Sequence, residues 1–110
     1  MNLSSSFLEK EIIPQQVKAA VAEIDAEAEV ILFGSRARGD FRSDSDWDFL
    51  VLVSQPLDDA LATTIRNRLY EIELEVEEVI VAIIEEKARW HDFVVTPFYQ
   101  NVAEDGMLIE

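Results

Sequence analysis

The sequence predicts one α/β domain with about three core strands and helices packed against them. Apolar runs of strand length alternate along the chain with segments whose apolar residues recur at helical spacing. The length of 110 residues suits a single small domain, which we expect to span residues 1–110. No internal repeat, low-complexity segment or long linker divides the chain.

The first half of the chain is predicted to run helix, strand, loop, strand. Pro14 suits the first turn of a helix, and apolar residues at helical spacing extend that helix to about residue 27. A short strand follows at residues 29–33. Residues 35–45 then form a polar loop or one helical turn. The strand predicted at residues 47–53 is almost uniformly apolar, which indicates burial on both faces.

The second half repeats the alternation. Pro56 opens a second helix, whose apolar stripe continues to residue 72. A third, almost uniformly apolar strand is predicted at residues 79–84, and residues 85–92 are predicted to be helical. Residues 98–105 form a last helical piece that ends before a glycine. The order of elements places the helices against a small sheet.

Composition narrows the environment in which the chain works. Hydrophobic residues make up 49% and charged residues 29% of the chain, which is typical of a globular protein. There is no cysteine, which excludes disulfides and thiolate metal sites and fits the cytoplasm, where we expect the protein to act. No apolar run is long enough to span a membrane, and the N-terminal segment lacks the features of a secretory signal. We therefore expect no membrane partner.

The net charge of −14 restricts the partners. A field of this sign repels nucleic acids, so we expect no non-specific nucleic-acid binding. A single nucleotide remains compatible, because divalent cations neutralise its charge. Arg36, Arg38 and Arg42 nevertheless cluster in one short stretch. That cluster either binds a specific anion or pairs with the neighbouring Asp40 and Asp44, and without the neighbouring motif the pairing is the favoured interpretation.

The stretch GSRARGDFRSDSDWDFLVLV, residues 34–53, carries the candidate chemistry. Residues two apart on a strand share a face, so Asp46 and Asp48 present two carboxylates about 6 to 7 Å apart, while Trp47 faces the other way. Like charges repel, and a divalent cation between them removes the repulsion. Magnesium prefers such oxygen ligands together with substrate phosphates. The turn at Gly34 and Ser35 offers backbone N–H groups to a phosphate.

Two other binding motifs share some of these residues but do not match the sequence. A calcium-binding loop beginning at Asp44 needs glycine at its sixth and glutamate at its twelfth position. The chain has Phe49 and Gln55 there. A phosphate-binding P-loop needs lysine and then serine or threonine after its second glycine, where this chain has Asp40 and Phe41.

The surviving pattern is a Gly-Ser turn, an arginine-rich loop and Ser-Asp-Trp-Asp at the start of a strand. It resembles the nucleotidyltransferases of the DNA polymerase beta superfamily, and the short chain narrows the resemblance to the minimal nucleotidyltransferases of prokaryotes. The motif covers about a fifth of the chain, and the order of elements around it agrees. The resemblance implies a polymerase-beta-like fold, a small mixed sheet of about three to five strands with helices packed on it.

The resemblance also implies a metal site that holds two magnesium ions. Asp46 and Asp48 are similar to the family's principal metal ligands, and both are expected to be catalytic. The family commonly adds a third carboxylate on the next long strand, for which Glu78 is the best match. Glu77 is adjacent and would point to the opposite face. That Glu75, Glu77 and Glu78 instead form a solvated entrance to the strand is an equally open reading.

The nucleotide-binding residues follow from the same resemblance. Gly34 and Ser35 are similar to the family's phosphate-binding pair, and Arg36 or Arg38 would contact the phosphates. Two ions about 4 Å apart can activate an attacking hydroxyl and stabilise a leaving pyrophosphate. The substrate would be ATP or another nucleoside triphosphate.

Two functions are compatible with this resemblance. In the first, the chain transfers a nucleoside monophosphate, AMP from ATP, to an acceptor hydroxyl on a HEPN-domain toxin and so acts as its antitoxin. In the second, it is a non-catalytic module that masks a HEPN ribonuclease, with its acidic surface against a basic RNA-binding face. The sequence leaves the acceptor, the base preference and a homo-oligomeric state open.

Overall fold

The computed structural model describes residues 12–110 of the chain. The prediction about a secretory signal concerns the N-terminal segment, most of which lies outside the described residues. The helices are α1 (Ile13–Ile24), α2 (Ser35–Arg38), α3 (Asp59–Val76), a 3-10 helix (Lys87–Phe93) and α4 (Pro97–Asp105). The strands are β1 (Glu29–Phe33), β2 (Trp47–Val53), β3 (Ile80–Glu86) and β4 (Met107–Ile109).

The four strands form one mixed sheet in the order β3-β2-β1-β4. Strand β1 is antiparallel to both β2 and β4, whereas β2 and β3 are parallel. The predicted mixed α/β architecture is therefore confirmed. The parallel pair places the first residues of β2 and β3 at the same edge of the sheet.

Both faces of the sheet are covered. Helices α1 and α3 pack on one face, where the main core includes Val17, Phe49 and Ile65. The other face carries a smaller core around Leu50 and Leu52, covered by residues of the 3-10 helix and α4. Residues 49–53 of β2 are all buried, as its apolar sequence predicted, because alternate side chains enter the two cores.

Helix α1 confirms Pro14 in its first turn but ends at Ile24, three residues before the predicted boundary. Asp25 caps the helix in an extended conformation. Its carboxylate accepts hydrogen bonds from the backbone N–H and the hydroxyl of Ser54, both at 2.7 Å. This long-range contact pulls the chain out of the helix and toward the sheet, and no local pattern encodes it.

Helix α3 begins at Asp59, not at Pro56 as predicted. The side chain of Asp58 accepts a hydrogen bond from the backbone N–H of Leu61 at 2.8 Å and so caps the helix start. The predicted apolar stripe is confirmed where it continues along the helix, since Ile65, Leu69 and Ile72 are buried.

The C-terminal third also differs in detail from the prediction. Strand β3 covers Ile80–Glu86 where residues 79–84 were predicted, and the predicted helix at 85–92 is a 3-10 helix that begins at Lys87. Strand β4 was not predicted, because three residues are too few to establish an alternating pattern. Among residues 12–110, no helix combines the length and the apolar character needed to cross a membrane.

Candidate active site

Asp46 and Asp48 lie where β2 begins. Asp46 immediately precedes the strand and is exposed, and Asp48 is its second residue and is half-buried. Paired residues on neighbouring strands share a face, and Asp48 is paired with Phe33 of β1. Trp47 packs against the main core on the opposite face, which confirms the predicted alternation. The two carboxylates therefore belong to the face that the smaller core covers further along β2.

The turn after β1 contacts this carboxylate directly. Gly34 has a φ of 76°, a conformation that L residues rarely adopt. A Cβ built on Gly34 would collide with the Oδ2 atom of Asp48 and would lie 3.2 Å from its Cγ. Only glycine therefore allows the backbone of the turn to lie against the Asp48 carboxylate.

Helix α2 is a single turn that starts at this glycine. The carbonyl of Gly34 accepts hydrogen bonds from the N–H groups of Ala37 and Arg38, both at 3.1 Å. The N–H groups of Ser35 and Arg36 precede these first helical donors, and such groups point out of the start of a helix. The predicted phosphate-binding turn thus lies beside the predicted metal ligands.

The electrostatics of Asp48 show how closely these groups interact. Burial raises the pKa of the Asp48 carboxyl, the neighbouring charge of Asp46 raises it further, and Arg38 partly offsets the rise. The pair therefore carries a repulsion that a divalent cation would relieve. Two hard carboxylate oxygen donors beside a backbone that can receive phosphates fit Mg²⁺.

Arg36 is a buried link between the loop and the sheet. Its side chain is 8% exposed, and its Cζ lies 4.4 Å from the ring centroids of both Phe41 and Trp47. Its Nη2 donates to the carbonyls of Ser43 at 3.3 Å and Ser45 at 3.2 Å. Within residues 12–110 its buried Nε has no hydrogen-bond partner. The two aromatic rings and the two carbonyls surround the guanidinium of Arg36. Its predicted contact with a phosphate therefore stays a prediction.

Arg38 is the other predicted phosphate contact, and its surroundings are different. Its side chain is 44% exposed and pairs at 3.2 Å with Asp40, whose side chain is 64% exposed. An exposed pair of this kind is weak and exchanges readily. Arg38 therefore lies near Asp48 with a guanidinium that an incoming anion can recruit, and its phosphate contact also stays a prediction.

Glu78 lies apart from the two aspartates. Its Oε1 accepts hydrogen bonds from Nη2 of Arg36 at 3.4 Å and from Nε1 of Trp47 at 3.3 Å. Its side chain is 12% exposed, so it is not part of a solvated entrance. In the described part of the chain, no three acidic, histidine or cysteine side chains form a group that could hold a metal. The role of Glu78 as a third metal ligand therefore stays a prediction.

Arg36 packs between the rings of Phe41 and Trp47, an arrangement that we call the arginine sandwich. Sequence reasoning missed this sandwich and the pairing of Glu78 with Arg36. Arg36 lies in a helical turn, Phe41 in a loop and Trp47 on a strand, so no single periodicity links the three residues. The richness of the loop in arginine and aromatic residues was the only available signal, and it does not identify partners.

Comparison with known proteins agrees with this geometry. The family model of the nucleotidyltransferase domain matches residues 14–107. A protein of Methanocaldococcus jannaschii, named as a candidate protein adenylyltransferase, is 31% identical over 80 residues, which cover 73% of this chain and 75% of the relative. The 80 aligned residues are four times the length of the 20-residue stretch that carries the motif, so the similarity extends well beyond that motif.

Two solved structures are similar to this chain. The first is the crystal structure of a toxin-antitoxin with AMP-PNP, with a TM-score of 0.63 and 18% identity over 86% of this chain and 70% of that chain. The second is a candidate nucleotidyltransferase from Sulfolobus solfataricus, with a TM-score of 0.49 and 21% identity over 97% of this chain and 87% of that chain. The first supports the fold, and the family model covers nearly the whole described chain. The chain therefore belongs to the nucleotidyltransferase domain family.

Proposed function

We propose that this protein transfers a nucleoside monophosphate, AMP from ATP, to an acceptor hydroxyl. The observation that carries the proposal is the contact between the turn at Gly34 and the carboxylate of Asp48. It puts a backbone suited to phosphates beside a carboxylate pair suited to a divalent cation. Membership of the nucleotidyltransferase family supports the reaction class, and the relative named as a candidate protein adenylyltransferase supports AMP as the transferred group.

Each residue of the site has a role in this proposal. Asp46 and Asp48 would hold Mg²⁺, which, when bound, neutralises charge on the triphosphate and on the leaving pyrophosphate. The N–H groups that start helix α2, beginning at Ser35, would orient the phosphates. Arg38 would leave Asp40 to pair with a phosphate oxygen, because a doubly charged partner offers a stronger bond than an exposed carboxylate.

The reaction is a displacement at the α-phosphorus. The acceptor oxygen forms a bond to that phosphorus, and the bond from the phosphorus to the oxygen bridging it to the β-phosphate breaks. Pyrophosphate leaves with the bonding electrons, and the proton of the acceptor hydroxyl goes to a base. In this step the chain positions the triphosphate and balances its charge, and the charge repulsion between Asp46 and Asp48 makes that pair dependent on a cation.

We propose further that the acceptor lies on a HEPN-domain toxin and that the chain is its antitoxin. The likeness of fold to a toxin-antitoxin solved with AMP-PNP supports this partner class. A second function is favoured by the net charge of −14. A strongly acidic chain can mask a basic RNA-binding face without any transfer.

Transfer is tested by incubating the protein with labelled ATP, Mg²⁺ and a HEPN protein encoded beside it. We expect label on the HEPN protein with the wild type and none with Asp46→Asn or Asp48→Asn. Asp44→Asn is the matched control, since Asp44 is an exposed aspartate of the same loop. Equal label with all four proteins would refute the assigned roles.

The same variants separate transfer from masking. If transfer is the function, the Asp46→Asn/Asp48→Asn double variant still binds the toxin but no longer neutralises its ribonuclease activity. If masking is the function, the double variant neutralises the ribonuclease as well as the wild type does at equal concentration. Inhibition of the ribonuclease then requires no transfer of AMP. Inhibition of the ribonuclease measured with and without ATP distinguishes the two outcomes.

A further inference from the structure

The two side chains paired with Asp48 on the neighbouring strands carry no oxygen. Asp48 is paired with Phe33 across the antiparallel ladder and with Val81 across the parallel ladder. Neighbouring strands lie about 4.8 Å apart, so these two side chains are the nearest on the same face. Both are apolar, and Leu50, the next residue of β2 on that face, belongs to the smaller core.

The alternation of side chains on β3 supports this placement of Val81. Ile83 packs into the smaller core with Leu50, whereas Ile80 and Ala82 pack against the main core on the other face. Val81 therefore shares the face of Asp48, where it is 37% exposed. Val81 is therefore accessible to solvent beside the two carboxylates, but its side chain has no charge and no atom that could bind a cation.

Glu78 is on the wrong face to compensate for Val81. Its carboxylate accepts hydrogen bonds from Trp47 and Arg36, and Trp47 is the residue of β2 that points away from Asp48. Movement of Glu78 to the aspartates would leave the buried guanidinium of Arg36 without its carboxylate partner, which is costly.

A pair of magnesium ions needs more ligands than this face supplies. Mg²⁺ is six-coordinate, demands near-octahedral geometry and takes oxygen ligands from carboxylates, phosphates and water. Asp46, Asp48 and a triphosphate can complete one such shell with water. A second ion about 4 Å away, on the side of the acceptor, would need a further carboxylate from the neighbouring strand, and that position is Val81.

We propose that this site binds one divalent cation per nucleotide, and that Val81 occupies the position from which a ligand to a second cation would come. The inference rests on the proposed function, because it assumes that the nucleotide binds at Asp46 and Asp48. With no second cation to bind it, the acceptor hydroxyl loses its proton to a base of the acceptor molecule or to water. The oxygen then bonds to the α-phosphorus as the bond to pyrophosphate breaks.

The test counts bound Mn²⁺, used in place of Mg²⁺, by electron paramagnetic resonance in the presence of saturating non-hydrolysable ATP analogue. We expect one tightly bound Mn²⁺ per analogue in the wild type and two in Val81→Asp. Val81→Asn is the matched control of similar size without the charge, and we expect it to bind one. Glu78→Gln is also expected to bind one.

Each result decides between the alternatives. Two tightly bound ions in the wild type, or one in Val81→Asp with its fold verified by circular dichroism, would overturn the proposal. A fall from two ions to one in Glu78→Gln would assign the second site to Glu78 instead. If the analogue itself fails to bind the wild type, measured separately by calorimetry, the proposed function fails as well. Binding of the analogue with two ions overturns only the one-cation proposal.

Discussion

The backbone of Gly34 lies against the carboxylate of Asp48, so closely that a Cβ at position 34 would collide with Oδ2 and lie 3.2 Å from Cγ. Fourteen positions separate the two residues in the chain. The antiparallel pairing of Phe33 with Asp48 brings them together. The predicted phosphate-binding turn and the predicted metal ligand Asp48 are therefore in direct contact, and a change in one is expected to displace the other.

Gly34→Ala is expected to impair both stability and nucleotide binding. Gly34 has a φ of 76° and a ψ of −160°, a region that almost only glycine adopts, so alanine costs about 1–3 kcal/mol in unfolding free energy, and the added Cβ displaces the carboxylate of Asp48. Gly39→Ala is the matched control, because Gly39 has a φ of 90° but nothing within 4 Å of a built Cβ. We expect both variants to lose stability in urea unfolding, Gly34→Ala more than Gly39→Ala, and we expect weakened nucleotide binding only in Gly34→Ala. Equal nucleotide affinity of the two variants would show that the contact between Gly34 and Asp48 does not affect nucleotide binding.

Arg36→Met is expected to destabilise the protein by about 3 kcal/mol, because it leaves the largely buried carboxylate of Glu78 without its cation and removes two cation–π contacts. Arg42→Met, at an exposed position of the same loop, should change stability by less than about 0.5 kcal/mol. Chemical denaturation measures both effects.

A spectroscopic signal distinguishes the loss of the arginine sandwich from general destabilisation. In a Trp90→Phe background, Trp47 is the sole tryptophan, and its ring lies 4.4 Å from the Cζ of Arg36. Removal of the cation should change its emission in the folded protein, whereas Arg42→Met should not. An unchanged emission spectrum in Arg36→Met would show that the sandwich does not persist in solution.

Asp48→Asn is expected to stabilise the metal-free protein at neutral pH. Burial and then Asp46 raise the pKa of Asp48 in the folded state, above an unfolded value of about 3.9. Between these two pKa values the folded state therefore binds more protons than the unfolded state. The stability of the wild type falls as the pH rises through this range. The gain in melting temperature should be present above the folded pKa of Asp48 and vanish below about pH 3.9. Asp44→Asn, at an exposed position of the same loop, is the control.

Asp25 is expected to show the opposite pH dependence. Burial raises the pKa of its carboxyl, but hydrogen bonds from the side chain and backbone of Ser54, and from the backbones of Glu27 and Gln55, outweigh burial and lower the pKa. Its stabilisation is therefore present above about pH 3.9 and is lost as the pH falls through the folded pKa.

The variant Asp25→Asn should lose about 2 kcal/mol at pH 7, because hydrogen bonds to a charged acceptor contribute about 1.5–3 kcal/mol. The difference from the wild type should narrow in acid, as measured by urea unfolding at several pH values. Glu23→Gln is the control, because Glu23 is an exposed acid two residues before Asp25, in the last turn of helix α1. A loss that persists unchanged at pH 3 would contradict the assignment to the Asp25 carboxylate.

Local patterns predicted the strands that position the site. Strands β1 and β2 match the predicted bounds. An apolar run bounded by polar residues is a local signal, because it depends only on residues that are close in the sequence. The boundaries that failed depend on distant partners. Helix α1 ends where the carboxylate of Asp25 meets Ser54, and that partner lies 29 positions away.

The amino-acid sequence alone determined the carboxylate pair at Asp46 and Asp48 and the turn at Gly34, because strand alternation and glycine conformation act over a few residues. Only the tertiary structure decided which side chains surround them. The register between β2 and β3 puts Val81 beside Asp48 and turns Glu78 toward Arg36. A shift of one residue would exchange the two faces of β3, and the packing of the whole sheet sets that register.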